Sequence, residues 1–406
     1  MSTLQLVETD RWPAIARTPN SPLRATAARG ILRRAVRDLP VTVILPDGTR
    51  LGAGGPVLEI VSDGFFHRIG ADLKIGFGEA FMAGDWRAGR GTDLADLLTV
   101  FASQLTDLVP PVLQRFRKLI EPRLAEHNDR TGARANIARH YDLSNDLFAA
   151  FLDPTMSYSS AWFDNAPSEF DDLAAAQVRK VDGILDFAGV RTGSRVLEIG
   201  TGWGQLAIQA AQRGATVTSV TLSAEQRDLA CKRIAEAGVN ANVELCDYRD
   251  VEGQYDAVVS VEMIEAVGEQ YWPTYFATID RLLAPGGRFG LQSITMPHDR
   301  LLATRHAQGW IHKYIFPGGL IPSLTAIEQI ASTAGGLVVE QRRDLGADYA
   351  HTLRLWRERF VAETPVVANL GFDAVFRRMW EFYLAYSEAG FRAGYLGVSQ
   401  LALIRS

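Results

Sequence analysis

Apolar and polar positions alternate through residues 40–75, with "PDG" at 46–48 as a turn. "VTVILPDGTRLGAG" therefore reads as a hairpin and "PVLEIVS" as a further strand. Ahead of them, "GILRRAVRDL" has helical spacing, with Ile31, Leu32, Val36 and Leu39 apolar. "GFGEAFMAGDW", 76–86, is glycine-rich and aromatic, and helical periodicity follows through "DLADLLTVFASQLTDLV". The polar, mixed-charge stretch "IEPRLAEHNDRTGARAN" is the best linker, which divides the chain near residue 130. Beyond it the pattern changes. Strands "RVLEIG", "TVTSVTL", "NVELCD", "YDAVVSVEM" and "RFGLQSIT" alternate with helical stretches such as "AEQRDLACKRIAEAG". "GGLVVEQRRDL" and "GVSQLALIRS" are later strand candidates. Such alternation predicts an α/β fold, a mostly parallel sheet with helices on both faces. Ligands of such sheets bind at the carboxyl ends of the strands.

Composition narrows the class only a little. The chain has 406 residues, 47% hydrophobic and 22% charged, as in ordinary globular proteins. Lys+Arg 42 against Asp+Glu 47 leaves −5, which disfavours nucleic acid as a partner. No apolar run approaches the roughly 18 residues of a spanning helix, and no signal-peptide pattern opens the chain. Two cysteines, Cys231 and Cys246, exclude a disulfide framework and a cysteine metal cluster. The expectation is a cytoplasmic protein without a metal. Charge is unevenly spread, however: seven arginines fall between Arg11 and Arg37, with no acid before Asp38. A basic amphipathic helix there can attract anionic headgroups; the other reading is a solvated helix packed on its own domain.

The chemistry concentrates in "VLEIGTGWGQ", where Gly200, Gly202 and Gly204 follow the first strand of the alternating region. Glycines here let backbone approach a ligand. The spacing is G-x-G-x-G, and Glu198 precedes it. An acid at that point would repel a pyrophosphate but suits a cationic group, such as the amino group of S-adenosylmethionine. The turn "LLAPGGRFGL" before a later strand agrees with a methyltransferase. The second strand lacks a terminal acid for ribose hydroxyls; Thr221 and Gln226 can make the same hydrogen bonds.

Several stretches together resemble one family. "ARHYDLSNDLFAAFLDPTMSYSSAWF", "VLEIGTGWG", "VTLSAEQ", "SVEMIEAVG", "WIHKYIFPGG", "LGADYAHTLRLW" and "YSEAGFRAGYL" are similar to cyclopropane-fatty-acyl-phospholipid synthases and mycolic acid methyltransferases. "IGFGEAFMAGDW" carries the likeness toward the N-terminus. "DRWPAIA", "EMIEAVG", "QSITMPH" and "YSEAGFR" resemble the actinobacterial branch that makes 10-methylene (tuberculostearic-type) acids. The resemblance implies a Rossmann-like, seven-stranded class I methyltransferase domain over 131–406, with an acyl-channel insertion at about 296–345. Residues 1–130 would form a smaller α+β accessory domain facing lipid. It implies S-adenosylmethionine as cofactor and phospholipid acyl chains as substrate. A homodimer, a separate reductase and a peripheral position on the inner face of the membrane follow from the same likeness.

It also implies site residues. Tyr158 and Ser159 would meet the cofactor carboxylate, Glu198, Gly200, Gly202 and Gly204 the methionine part, and Thr221 and Gln226 the ribose. Asp247, Tyr248 and Arg249 would surround the adenine, and Trp203 would wall the sulfonium from water. Tyr141 would line the pocket and Tyr314 and Phe316 the acyl channel. In the family a bound bicarbonate serves as base, held by a glutamate, a tyrosine, a histidine and the segment around a cysteine. Those positions match Glu265, Tyr349, Gln292 and Ser160; Glu265 could also act directly as the base. Ser160 and Ser387 exclude a thiol nucleophile, and Gln292 cannot carry a proton. His140 reads as structural. Three functions stay open: acyl methylation giving a methylene or a cyclopropane, a small-molecule or protein methyltransferase, and a lipid-binding module without catalysis.

Overall fold

The computed structural model describes residues 11–108, 144–165 and 169–406. The linker candidate, His140 and Tyr141 lie outside the described residues. The chain forms two compact units. One takes the described residues up to 108 together with Ala307–Ile315 and Phe360–Ala393; the other takes those from 144 to His306 with Phe316–Arg359 and Gly394–Ser406. The units are therefore not contiguous in sequence. "WIHKYI" joins the first unit although strand alternation surrounds it.

In the first unit β1 (Thr42–Ile44) and β2 (Arg50–Leu51) form the expected antiparallel hairpin. β3 (Val57–Ile60) adds parallel to β1, and β4 (Trp86–Ala88) antiparallel to β3. The glycine-rich stretch is a helix, Leu73–Ala83. Asp72 caps it by accepting from the Lys74 and Ile75 amides, and Gly84 ends it in a left-handed conformation at φ +79°. Its glycines serve close packing: a Cβ on Gly78 would lie 2.5 Å from Cδ1 of Trp310. Around it Phe77, Phe81, Trp86, Trp310 and Phe382 make one aromatic core.

The arginine-rich segment is a helix, Pro22–Ala35, shorter than its apolar spacing predicts. Its buried face is Ala25 and Ala28, while Val36 and Leu39 are buried after the helix has ended. Ile31 is not on that face. It is 59% exposed, and Leu23 is 88% exposed.

The second unit holds a seven-stranded sheet of β5 (Arg195–Ile199), β6 (Thr216–Thr221), β7 (Ala241–Leu245), β8 (Tyr255–Val261), β9 (Leu283–Thr295), β10 (Leu337–Asp344) and β11 (Gly397–Arg405). The order is β10-β11-β9-β8-β5-β6-β7. β9 through β7 pair in parallel, and β11 and β10 add antiparallel. Six of the seven strands lie within two residues of the sequence reading; β9 begins at Leu283, five residues early, so the "APGG" stretch expected as a turn before it is part of the strand. Apolar residues on both faces are buried, as a sheet covered by helices requires. Val181, Ile184 and Leu206 pack on one cluster of strand residues, and Tyr275, Ile279 and Ile327 on another. The switch in strand order falls between β5 and β8, whose carboxyl ends carry Gly200 and Glu262.

Candidate active site

A cavity opens at those carboxyl ends. Of the sequence-derived cofactor residues, Tyr158, Ser159, Glu198, Gly200, Gly202, Trp203, Thr221, Gln226, Asp247, Tyr248 and Arg249 all line it. Gly204 does not. It starts the helix Gln205–Gln212 at φ +88°, against Ala230. Gly202 stands at φ +52°, and nothing lies within 4 Å of where a Cβ would point, so the loop leaves room for a ligand. Trp203 is buried. Its indole N–H donates to Asn145 Oδ1 at 2.8 Å, and its ring packs on Phe148. The tryptophan thus closes one wall of the cavity while anchoring the helix Asn145–Phe151.

The cavity carries acidic, basic and hydroxyl groups of the kinds a zwitterionic ligand needs. At one end Lys180, wholly buried, donates to Ser159 Oγ at 2.7 Å. Burial depresses this ammonium to about 8, against the pull of Glu262, Asp153 and Glu198. Burial raises Glu198 to about 8, although Ser219 donates to it and Lys180 opposes the shift. At the other end the Thr221 hydroxyl meets Gln226 Oε1 at 3.2 Å. Arg249 donates from Nε and Nη2 to the two oxygens of Asp247 at 2.8 and 2.6 Å, so this acid is neutralised by its neighbour. The Tyr248 hydroxyl is buried without a hydrogen-bond partner among the described residues, and burial holds it up at about 12.

This set fits S-adenosylmethionine. Glu198 would take the ammonium group, Lys180 and Ser159 the carboxylate, Thr221 and Gln226 the ribose, and Tyr248 would border the adenine. Lys180 was missed in the sequence because a lysine on a helix of ordinary periodicity, Asp172–Phe187, gives no signal.

The residues expected to hold an anion meet differently from the expectation. Tyr349 donates its hydroxyl to Glu262 Oε2 at 2.9 Å, and Gln292 Nε2 and the Ser160 amide each donate to Glu262 Oε1 at 2.9 Å. The Ser160 hydroxyl turns away to the Ala161 carbonyl. Glu265 stands apart: Oε1 accepts from Ser293 Oγ at 2.9 Å and the Ile294 amide at 2.6 Å, and Oε2 is buried without a partner among the described residues. Burial, then the charge of Glu262, raises Glu265 to about 8. Glu262 lines the cavity; Glu265 does not. Glu262 lay inside a recognised motif, but only its backbone turn at φ +52° aims its side chain inward.

Tyr314 and Phe316, the two aromatics expected in an acyl channel, are not among the residues lining this cavity. Tyr314 belongs to the first unit, where its hydroxyl donates to Glu79 Oε1 at 2.7 Å beside Lys313. Phe316 falls in the second unit and is partly exposed.

A seven-stranded Rossmann-like sheet, a glycine loop after β5 and a buried acid facing the cavity define an S-adenosylmethionine-dependent methyltransferase. The chain belongs to the mycolic acid cyclopropane synthetase family, whose model matches residues 128–401. It is 53% identical to a tuberculostearic acid methyltransferase of Mycobacterium tuberculosis, over 98% of this chain and 96% of that one. It is 35% identical to a cyclopropane-fatty-acyl-phospholipid synthase of Escherichia coli K12, over 88% and 90%. A solved mycolic acid cyclopropane synthase, complexed with SAH and CTAB, aligns with a TM-score of 0.61 at 31% identity, covering 66% of this chain and 97% of that one.

Proposed function

We infer that the protein methylates the cis double bond of unsaturated acyl chains in phospholipids and forms a 10-methylene branch. The observation that carries this reading is the end-to-end likeness to the tuberculostearic acid methyltransferase. When bound, S-adenosylmethionine supplies an electrophilic methyl group. The chain's own residues do the rest. Glu198, Lys180 and Ser159 hold the amino-acid end, so the reactive group is oriented from a fixed point. Trp203 and Tyr158, the latter stacked on Trp356 at 5.2 Å, exclude water from the place where a carbocation must survive. A base must then accept one proton.

The timing of that proton decides the product. Early loss that closes onto the new methyl gives a cyclopropane. Loss after a hydride shift gives an exocyclic methylene. Gln292 cannot carry a proton, which favours the later loss. The cyclopropane reading is supported by the Escherichia coli relative. The two products have equal mass, so proton NMR of the extracted fatty esters decides. Vinylic methylene signals are expected; upfield ring signals as the main product would overturn the methylene assignment.

Saturating the branch needs a hydride donor, and the sequence has no second nucleotide-binding glycine loop, so a separate reductase would complete the reaction. A homodimer is part of the same proposal. Among the described residues no helix is long and apolar enough to cross a membrane. Access to phospholipid from the inner membrane surface would run through the helix Pro22–Ala35, where exposed Leu23 and Ile31 are interleaved with Arg24, Arg33 and Arg34.

A further inference from the structure

Glu262 ends the run of β8 with φ +52°, a backbone conformation rare for any residue with a side chain. Such outliers persist where the surroundings fix them, often at functional sites. Here the turn brings a carboxylate into the cavity wall and presents it to three donors from three separate segments: the Ser160 amide, Gln292 Nε2 and the Tyr349 hydroxyl, each at 2.9 Å. The donors are themselves held. Gln400 Nε2, directly across from Gln292 in the β9–β11 register, donates to Gln292 Oε1 at 3.0 Å. That bond leaves the Gln292 amide nitrogen, and only the nitrogen, facing Glu262. Three of the four positions expected to grip a free anion thus grip a side chain of the chain itself.

Two carboxyl groups share this corner, and their surroundings separate their roles. Burial raises Glu262 above the usual carboxylate range, and that rise is opposed by donors on both oxygens and by Lys180 within electrostatic reach. Glu265 has donors on one oxygen, and its other oxygen is buried with no donor among the described residues. Hydrogen bonds to the ionised form favour ionisation, and a bare buried oxygen opposes it. Burial raises both carboxyls, but the donors on Glu262 oppose that rise more fully, so of the two Glu262 is the better placed to hold the charge and Glu265 the proton.

We propose that Glu262 is the base of the reaction, a built-in carboxylate occupying the place of a bound bicarbonate. This rests on the acyl-methylation reading above. After methyl transfer and the hydride shift, the cation lies on the carbon bearing the new methyl. A Glu262 oxygen takes one methyl proton. The C–H bonding pair becomes the second bond of the methylene, the positive charge is cancelled, and Glu262 becomes a neutral acid. Its proton returns to solvent before the next cycle. No oxidant, reductant or added anion is needed.

Three preparations test this: wild type, Glu262→Gln and Glu262→Gly, each checked for thermal unfolding and for S-adenosylmethionine affinity by calorimetry. Wild type should turn over equally in carbonate-free buffer and with added bicarbonate, and 13C NMR should detect no bound bicarbonate. Glu262→Gln should bind the cofactor as wild type does yet lose about 10²–10⁴-fold in turnover. Glu262→Gly, which also relieves the backbone turn, should regain part of the rate with bicarbonate or formate. A wild type that depends on bicarbonate or binds it, or a Glu262→Gln variant keeping more than about a tenth of the rate, overturns the proposal. If Glu262→Gln does not fold, the bicarbonate dependence of wild type and of Glu262→Gly decides. A wild type that yields no methylated lipid refutes the acyl-methylation reading instead, and 13C-bicarbonate binding then still tests whether Glu262 fills the anion site.

Discussion

Each compact unit buries a cation, and the two are treated in opposite ways. Arg68, in the first unit, spends every face of its guanidinium. Nε donates to Asp85 at 2.9 Å, and the two terminal nitrogens donate to the Ala14 and Ile15 carbonyls at 2.7 Å. Asp85 is in turn held by Ser62. Lys180, in the second unit, makes one hydrogen bond among the described residues, to Ser159, and feels three acids only at longer range. A buried charge whose partners are complete belongs to the architecture. One whose partners are incomplete, in a cavity, is a candidate for ligand binding. The same contrast separates Glu79, which accepts from Lys313 and Tyr314, from Glu198 and Glu265, which have no cation in contact among the described residues.

The pair Arg68→Met and Lys180→Met would break or confirm that contrast most directly. Removing Arg68 leaves Asp85 and two carbonyls buried without their partner, and about 3–5 kcal/mol of stability should go. Lys180→Met removes a poorly paired charge. It should leave the unfolding midpoint close to wild type while weakening cofactor binding by about 1.5–3 kcal/mol, roughly ten- to hundredfold, the worth of a charged hydrogen bond. Denaturant unfolding and calorimetry read the two quantities separately. Equal stability losses in both variants would erase the distinction.

A pH series sharpens it. Glu198 is raised from its ordinary 4.5 to about 8, first by burial. The folded, ligand-free protein therefore binds a proton that the unfolded chain does not. This contribution to stability is full below 4.5 and is lost as pH rises through about 8. Taking up a cationic ammonium requires the ionised form, so cofactor binding at pH 7 should release a proton. Calorimetry in buffers of differing ionisation enthalpy measures that release, and Glu198→Gln should abolish it. Release of the same size in Glu198→Gln would assign the proton elsewhere.

The smallest expected effect concerns the exposed charges of the first unit. Arg33→Glu and Arg34→Glu together should weaken binding to anionic vesicles by about 1 kcal/mol or more per residue. The difference should shrink at high salt, where screening weakens wild type as well. Equal binding at low salt would remove this helix from the membrane proposal.

The strand pattern, the glycine loop and most of the cofactor cavity were legible in the sequence because each is local. A buried strand reads as an apolar run, and a glycine loop that must approach a ligand admits few other residues. "VLEIGTGWGQ" therefore announced Glu198, Gly200, Gly202 and Trp203 before any fold was known. Four features came only with tertiary structure. Ile31 is apolar at helical spacing, yet it points outward, because the face this helix buries is that of Ala25 and Ala28. Tyr314 lies near Phe316 in the chain but pairs with Glu79, 235 positions earlier. Lys180 acquires meaning only when burial removes its water. Glu262 and Glu265 look alike as letters three apart, and the difference between them is made by residues far away in sequence. Ser160, Gln292 and Tyr349 converge on one, while the other keeps an oxygen with no partner among the described residues. Residue type and spacing fix which chemistry a segment can offer; which acid is charged depends on how many donors the fold brings to each oxygen, and that is a property of packing.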